Sequence, residues 1–332
     1  MTISITSMDL KEYKRLYVIG NGFDLHHGMP TSYRSYRIWL EENHHDVYKR
    51  LNELYSDGMD EAEWWNDFET NLGYVVDLRG RIENTAWVNQ PTEDELERDR
   101  VIDGHRGAGD VQEEMSRVID SIKGTFHEWV DSLPKANSGN MVKMETADSF
   151  FINFNYTNTL ENVYKVSPED ILHIHGGLGN DEYVIGHGRN YNEVEEDAEP
   201  SIEPWDGIED PSEYGIDASD DMITEHTKKE YVKQIMSLRK PVPEILTTNK
   251  DVFDNLHTVK EVHIYGLSFS DVDAAYLRKI VDSVSPDATF EVNFFSDRDK
   301  EKIKDFFAQN GRTFNLIRLK DIMRYKQGEL FE

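Results

Sequence analysis

The sequence predicts an α/β protein with a doubly wound, mostly parallel sheet and a large helical insertion. Short apolar runs alternate with helical patterns of roughly 10–15 residues in the C-terminal third, which is typical of parallel sheets. Near the N-terminus, the apolar run 16–19 ends at Gly20-Asn21-Gly22, which indicates a buried strand followed by a tight turn. Between residues 36 and 133 the apolar spacing is mainly helical, so the insertion follows the first strand.

The remaining elements follow from the period of the apolar residues along the chain. Strands are predicted at residues 16–19, 149–154, 171–174, 183–185, 262–265, 289–295 and 313–319. Helices are predicted at residues 33–55, 61–77, 111–133, 158–165, 224–238, 274–284 and 299–310. The length of 332 residues allows one large α/β domain with insertions or two smaller domains, and residues 1–332 are interpreted as a single domain.

Two polar stretches are interpreted as connections. Residues 79–112 are mostly polar, which predicts a loop or mobile insertion. Residues 190–223 are predicted to form an acidic loop insertion, because the part from 193 to 221 contains no Lys or Arg and runs of like charge are usually solvated. The alternative is a lid or a partner-binding segment, which the aromatic residues Trp205 and Tyr214 would allow.

Composition and charge limit the classes of function. The 332 residues carry a net charge of -29, so nucleic acids and anionic membranes would be repelled at long range and are not expected as partners. The absence of cysteine excludes disulfides, four-cysteine zinc sites and a cysteine nucleophile. No apolar leader precedes Arg15, and no run approaches the length of a membrane-spanning helix, so a cytoplasmic protein is expected.

Small and polar residues follow the predicted strands. In doubly wound sheets the carboxyl ends of parallel strands share one edge, and ligands bind there. The residues just past the strands are Gly20 to Asp24, Asn155 to Thr157, His175-Gly176, Gly266 to Ser268 and Ser296-Asp297. A candidate site is therefore predicted at this edge, although its residues are far apart in the sequence.

The glycine turn after the first strand is compatible with a bound phosphate. Gly20 and Gly22 would let backbone N–H groups approach a phosphate beside a helix N-terminus, although the third glycine of the usual dinucleotide fingerprint is missing. A plain tight turn is the alternative. Asp24 would cap the helix or bind a ribose hydroxyl.

Asn155, which directly follows the strand 149–154, is compatible with a plain turn or helix-cap residue.

The histidines leave two interpretations open. His173 and His175 would face the same side of a strand, and a metal pair completed by His187 and Asp24 is one interpretation. No acidic ligand lies at tight spacing near the pair, so no metal is expected. His175 is interpreted instead as a group that accepts a proton near neutral pH.

Several motifs occur in order along most of the chain. They are Gly20 to Leu25 with Gly28 to Tyr33, Trp-Trp-Asn-Asp-Phe-Glu at 64–69, Asn-Phe-Asn-Tyr-Thr-Asn-Thr-Leu-Glu at 153–161, His173 to Gly176, and Gly266 to Asp273. Together they resemble the AbiH family of bacterial phage-defence proteins, which act by abortive infection. The resemblance implies an antiviral role, with a second copy of the chain or a partner defence protein.

AbiH proteins in turn resemble the sirtuin-like superfamily, which implies a sirtuin-like, Rossmann-like sheet that binds NAD. In that superfamily the glycine turn binds NAD phosphates and a His-Gly element is catalytic, to which His175-Gly176 is similar. The resemblance implies that Asn155 and His175 are catalytic. The residues expected to bind the nucleotide are Gly20, Asn21, Gly22, Phe23, Asp24, Arg34, Tyr156, Gly266, Ser268 and Ser296.

The chain departs from the superfamily pattern in ways that matter for function. The zinc-binding cysteines of sirtuin deacetylases are absent, so protein deacetylation is not expected. Thr157 stands where the superfamily has Asp, and Asn21 and Asp24 replace small residues of the phosphate turn. These departures concern the nucleotide that is bound rather than the fold.

Three functions are compatible with these residues. The first, implied by the resemblance, is hydrolysis of NAD as substrate at the nicotinamide–ribose bond. Asn155 would hold a water or a ribose hydroxyl, His175 would accept a proton, and Arg34 would offset the pyrophosphate charge. The second is a non-catalytic sensor of a nucleotide or an ADP-ribose-type signal. The third is a metal-dependent hydrolase or nuclease that uses the histidines and Asp24.

Overall fold

The computed structural model describes residues 12–56, 61–90, 105–177, 183–199 and 218–322. The chain divides into two compact units. The first, which we call the sheet unit, comprises residues 1–36, 127–184 and 241–332, and the second, the helical unit, comprises residues 37–126 and 185–240. Among the described helices, none combines the length and the apolar character needed to cross a membrane.

The described part of the sheet unit contains a sheet of six parallel strands. The strands are β1 (Arg15–Ile19), β2 (Ser149–Asn153), β3 (Ile171–His173), β4 (Glu261–Tyr265), β5 (Thr289–Asn293) and β6 (Phe314–Ile317). Their order in the sheet is β3-β2-β1-β4-β5-β6, so the direction in which strands are added reverses between β1 and β4. This is the order of dinucleotide-binding sheets, which bind ligands at such a reversal. The predicted α/β fold with a doubly wound, parallel sheet is confirmed.

Both faces of the sheet are buried, which explains why its strands are nearly continuous apolar runs in the sequence. On β1, Leu16 and Val18 pack into a core on one face, and Tyr17 and Ile19 pack into a second core on the other. Successive side chains of a strand point to opposite faces. Burial of every residue of the run therefore requires a layer of helices or loops on each side.

Helices supply these layers and build the helical unit. In chain order they are α1 (Asn21–His26), α2 (Tyr33–Asn43), α3 (His45–Tyr55), α4 (Glu61–Asn66), α5 (Phe68–Asn71), α6 (Leu78–Val88), α7 (Arg106–Ser132), α8 (Thr159–Tyr164), α9 (Tyr191–Asp197), α10 (Ala218–Ser237), α11 (Val242–Thr248), α12 (Lys250–Asp254), α13 (Ala274–Ser283) and α14 (Asp297–Asn310). Helix α13 buries Tyr276, Leu277 and Ile280 in the core that contains Leu16. Residues 266–273 connect β4 to α13. The first residues of α13 therefore lie near the carboxyl edge of the sheet.

The helical unit is organised around buried aromatic residues and a buried ion pair. Trp64 and Trp65 are almost fully buried, and the Trp65 ring stacks on Phe68 with 5.0 Å between the ring centroids. Lys240 Nζ lies 3.1 Å from Glu69 Oε1. A buried ammonium group without such a carboxylate would be strongly destabilising. The charged end of the Trp-Trp-Asn-Asp-Phe-Glu motif therefore has a structural role.

One predicted strand and part of one predicted loop are wrong. Residues 183–185, predicted as a strand, contain none, because the Val184 N–H donates to His175 O instead of joining the sheet. The predicted loop 79–112 contains most of α6 and the start of α7, and its residues 91–104 lie outside the described residues. Helix α6 buries Ile82 and Ala86 on one face, and its other faces carry the polar residues, so a polar composition did not indicate a loop.

The predicted acidic loop is also partly helical. Helix α9 lies within residues 190–223 and begins with a capping box between Asn190 and Glu193. Carboxylates are favourable near a helix N-terminus, so the acidic composition is compatible with a helix there. Helix α10 begins at residue 218. Residues 200–217, including Trp205 and Tyr214, lie outside the described residues.

Two long predicted helices are interrupted. The segment 33–55 forms α2 and α3, which are separated at His44. The segment 61–77 forms only α4 and the short α5, which ends at Asn71. Apolar residues stay in phase across such breaks, so the periodicity alone does not locate them. Helices α11 and α12 were not predicted.

Candidate functional site

The glycine turn after β1 packs directly against the turn after β4. The Gly20 N–H donates to Tyr265 O at 2.9 Å, and the Gly22 N–H donates to Gly266 O at 2.8 Å. The Phe23 N–H donates to Gly20 O at 2.9 Å. The amides that were expected to contact a phosphate are thus hydrogen-bonded within the fold. This corrects the reason for the glycines, which is the close approach of two protein turns.

Gly266 adopts a backbone conformation that only glycine tolerates at this place. Its φ is 70°, and a Cβ atom there would lie 2.1 Å from the Phe23 nitrogen and 2.6 Å from the Gly22 carbonyl carbon. Asn293 Oδ1 accepts a hydrogen bond from the Gly266 N–H at 3.1 Å. The turn is therefore held between β1 and β5 without room for a side chain.

Asp24 on α1 is completely buried and forms the centre of a hydrogen-bonded cluster. Its carboxylate accepts from Thr157 Oγ1 at 2.5 Å and from Thr159 Oγ1 at 2.7 Å. Burial raises the pKa of Asp24 to about 6, although the hydrogen bonds from Thr157, Thr159 and Asn155 act in the opposite direction. Asp24 and Thr157 are therefore direct partners.

The free energy of unfolding is expected to depend on pH through Asp24. Because its pKa rises from 3.8 to about 6 on folding, the folded state binds more protons than the unfolded state between these values. This contribution to stability is present at low pH and is lost as the pH rises through about 6. Relative to Asp24→Asn, the wild-type protein should lose about 3 kcal/mol between about pH 4 and pH 7.

Urea unfolding of both proteins at several pH values measures this difference. Asp46→Asn, which changes an exposed carboxylate, is the control and should show no such trend. A wild-type minus Asp24→Asn difference that stays constant with pH would contradict the assignment. Histidines that titrate in the same range, such as His27, are present in both proteins and cancel in the comparison.

Asn155 lies in the turn after β2 and is buried. Its Nδ2 donates to Gly20 O at 3.1 Å, and its side chain also hydrogen-bonds to Asp24. The Asn155 N–H donates to Asn153 Oδ1 at 3.1 Å. The predicted role, a water or a ribose hydroxyl held through the side-chain amide, therefore competes with these bonds. We call residues 153–157 the Asn155 turn.

His175 is brought together with an acidic residue that the sequence analysis did not select. His175 Nε2 lies 3.7 Å from Asp273 Oδ1, and the two residues are 2% and 7% exposed. The imidazole packs edge-on against Phe154 and Tyr276, with ring centroids 5.3 and 5.6 Å away. At 3.7 Å the contact is electrostatic and is longer than a hydrogen bond. The pair brings an imidazole and a buried carboxylate together at the carboxyl edge.

Tyr156 is linked to His175 through the backbone of Val184. Its hydroxyl donates to Val184 O at 2.9 Å, and the Val184 N–H donates to His175 O at 2.9 Å. The Tyr183 ring packs edge-on against the Tyr156 ring with 5.3 Å between centroids. Tyr156, predicted to bind the nucleotide, thus uses its hydroxyl to connect the Asn155 turn to the backbone of His175.

Other predicted binding residues are not gathered around His175. The Phe23 side chain lies in the core between His27 and Tyr164, and Asn21 Nδ2 donates to Thr31 O at 2.9 Å. Phe23 therefore cannot offer its side chain to a ligand.

Ser296, Arg34 and Ser268 have different surroundings. Ser296 Oγ accepts from the Asp299 N–H in the capping box of α14, so this serine has a structural role. Arg34 and Ser268 are exposed, and no contact between described residues joins either of them to His175.

The predicted pairing of histidines is wrong in its geometry. Strand β3 ends at His173, and His175 lies within the turn in which the Gly176 N–H donates to His173 O. His173 contacts Glu161 through Nε2 at 2.7 Å, whereas His175 contacts Asp273. The two rings therefore have separate partners, because the strand ends before the alternation can place them side by side.

The remaining members of the metal hypothesis have other partners. His187 Nε2 lies 2.9 Å from Ile235 O, and its Nδ1 accepts from the Arg189 N–H at 3.1 Å. Burial lowers the pKa of His187, which keeps the ring neutral. Both oxygens of Asp24 accept hydrogen bonds from threonines. In the part of the chain that the structure describes, no three His, Asp or Glu side chains form a group that could hold a metal ion.

No sequence pattern assigned Asp273 a role in the candidate site. It directly precedes the predicted helix 274–284, where an aspartate is usually read as an N-cap. In the structure its side chain makes no capping hydrogen bond. The sequence signal was the motif Gly266 to Asp273, which placed an acidic residue near the carboxyl edge. Its pairing with His175 depends on the order of the strands.

Comparison with known proteins adds one match. A family model described as "Bacteriophage abortive infection AbiH" matches residues 16–294, which include β1 to β5 and both residues of the His175–Asp273 pair. No curated protein and no solved structure matches the chain significantly.

Proposed function

The chain belongs to the AbiH family of bacteriophage abortive infection proteins, and we propose that its part in abortive infection is the hydrolysis of NAD at the nicotinamide–ribose bond. The observation that carries the proposal is the His175–Asp273 pair at the carboxyl edge. It is supported by the strand order β3-β2-β1-β4-β5-β6, since sheets of this order bind dinucleotides at that edge.

The reaction would require little acid catalysis. Water attacks the ribose C1′ atom, the C–N bond to nicotinamide breaks, and the ring nitrogen takes the bonding electrons and leaves neutral. The products are nicotinamide, ADP-ribose and one proton. His175 would accept the proton of the attacking water, and Asp273 would stabilise the imidazolium that forms. The buried surroundings of the pair would strengthen that interaction.

Other residues would position the substrate. The Asn155 turn, which includes Tyr156, would line the substrate site beside His175. The exposed Arg34 would offset the charge of the pyrophosphate. The pyrophosphate would not occupy the glycine turn, because the amides of Gly20 and Gly22 already have acceptors. The carboxylate of Asp24, close to that turn, would also repel it.

The test is incubation of the purified protein with NAD, followed by chromatographic measurement of nicotinamide and ADP-ribose. We expect both products in equal amounts from the wild-type protein. His257→Gln, which changes an exposed histidine of the sheet unit, should retain full activity. Release of nicotinamide without ADP-ribose, or equal rates with and without protein, would contradict the proposal. When the wild-type protein and His257→Gln are expressed in bacteria, both should lower cellular NAD during infection and reduce the phage yield.

A nucleotide sensor is the second candidate function, and one observation favours it. His175 is only 2% exposed, so a ligand has to displace the surrounding aromatic side chains before it contacts the imidazole. A binding site that rearranges around its ligand can signal that the ligand is bound without converting it to product. It predicts a raised melting temperature in NAD or ADP-ribose without product formation. A chelator added to the same assay separates both candidates from a metal-dependent hydrolase.

A further inference from the structure

A chain of hydrogen bonds connects α8 to the Asn155 turn. Glu161 Oε1 lies 2.7 Å from His173 Nε2, and His173 Nδ1 lies 3.3 Å from Asn153 Nδ2. Asn153 Oδ1 accepts from the Asn155 N–H at 3.1 Å, and Asn153 Nδ2 donates to Thr157 O at 3.3 Å. The side chain of Asn153 thus holds the turn near its start and at its end.

These partners determine which nitrogen of His173 carries the hydrogen. A backbone N–H reaches Asn153 Oδ1, so the other side of that amide is its NH2 group, which can only donate. His173 Nδ1 therefore accepts, and in the neutral ring Nε2 carries the hydrogen and donates it to Glu161. Every bond in the chain then has one donor and one acceptor.

The chain selects one orientation of a buried amide. If the Asn153 amide turned over, its NH2 group would face the Asn155 N–H, and its oxygen would face His173 Nδ1. Two donors would then meet at one end and two acceptors at the other, and unsatisfied buried polar groups are costly. Glu161 keeps His173 in the tautomer that enforces this choice, because a carboxylate accepts hydrogen bonds but does not donate them.

We propose that Glu161 and His173 are positioning residues for the site of the proposed function, and that they act by orienting Asn153 and through it the Asn155 turn. This inference rests on the proposed function. It assigns different tasks to the two histidines of His-x-His-Gly. His173 orients the turn that carries Asn155 and Tyr156, and His175 exchanges the proton.

Substitutions of Glu161 separate hydrogen bonding from charge. Glu161→Ala removes the acceptor and is expected to lower kcat for NAD hydrolysis about 10–100-fold, with KM changed less than about threefold, because a misplaced turn affects the transition state more than binding. Glu161→Gln keeps an acceptor oxygen and should retain at least about a third of the wild-type kcat. Asn162→Ala, an exposed neighbour on α8, is the control with wild-type kcat.

Equal kcat in Glu161→Ala and the wild-type protein would overturn the positioning role. Equal losses in Glu161→Ala and Glu161→Gln would also overturn it if His173 keeps its wild-type tautomer in Glu161→Gln, because the negative charge and not the orienting hydrogen bond would then be what matters. A merely structural role predicts that loss of activity follows loss of melting temperature. The positioning role predicts that Glu161→Gln has a much higher kcat than Glu161→Ala, even if the two variants have the same melting temperature.

Histidine-selective 15N NMR tests the chain without any activity. In the wild-type protein His173 should show a protonated Nε2 and an unprotonated Nδ1 near neutral pH, and Glu161→Ala should produce a mixture of tautomers. A protonated Nδ1 in the wild-type protein would overturn the inference. If the wild-type protein does not hydrolyse NAD, the proposed function fails. The spectra then decide separately whether the chain exists, and melting temperatures with ADP-ribose show whether Glu161→Ala weakens ligand binding.

Discussion

Replacement of His175 by Gln is expected to lower the rate of NAD hydrolysis about 10²–10⁴-fold, the usual contribution of a well-placed general base. Gln fills a similar volume but cannot accept a proton at neutral pH. The residue is buried against Phe154 and Tyr276, so the variant must first be shown to fold by its melting temperature and circular dichroism. Steady-state kinetics with NAD then measures the effect, with His257→Gln as the control.

The partner residue should share this effect. Asp273→Asn keeps the shape of the side chain but removes the negative charge that lies 3.7 Å from His175 Nε2. We expect a smaller loss than in His175→Gln, and little further loss when the two substitutions are combined, because residues that act as one unit are not additive. Fully additive losses, or a folded His175→Gln protein with wild-type activity, would remove the pair from the mechanism.

Replacement of Gly266 by Ala is expected to reduce the free energy of unfolding by about 2–5 kcal/mol. Part of the loss is the strain of a non-glycine residue at positive φ, about 1–2 kcal/mol. The rest comes from the contact of the new methyl group with the backbone of Phe23 at 2.1 Å, which only a displacement of the glycine turn can relieve. Urea unfolding measures the total loss.

Gly311 provides a matched control for this prediction. It also has a positive φ, 62°, but no atom lies within 4 Å of the place of its Cβ. Gly311→Ala should therefore lose only the conformational part, about 1 kcal/mol. Similar losses in the two variants would mean that the turns after β1 and β4 are not held as closely as the structure indicates. A much larger loss in Gly266→Ala than in Gly311→Ala measures the free energy needed to move apart the turns after β1 and β4.

The sheet was predictable because its strands carry their own signal. The runs at 16–19, 149–154, 262–265 and 289–295 each contain an observed strand in whole or in large part, and burial on both faces makes such runs apolar throughout. Short helices and helix breaks carried less signal. The stretch 183–185 shows the limit, since an apolar β-favouring run makes a strand only where a neighbouring strand accepts its hydrogen bonds.

The list of residues at the carboxyl edge was also available from the sequence, but their roles were not. Whether a backbone amide or a carboxylate is free for a ligand depends on what packs against it. The amides of Gly20 and Gly22 are occupied by acceptors from β4 and the turn after it, and Asp24 is occupied by Thr157 and Thr159. These partners are more than 100 residues away along the chain.

The sequence by itself determined the doubly wound parallel sheet, the AbiH motifs and the edge at which polar residues collect, because periodicity and turn residues are local properties. The tertiary structure alone decided the pairing of His175 with Asp273 and of His173 with Glu161. Both pairings depend on the strand order β3-β2-β1-β4-β5-β6 and on where β3 ends. These features are set by the packing of distant segments against each other, which no local pattern of residues records.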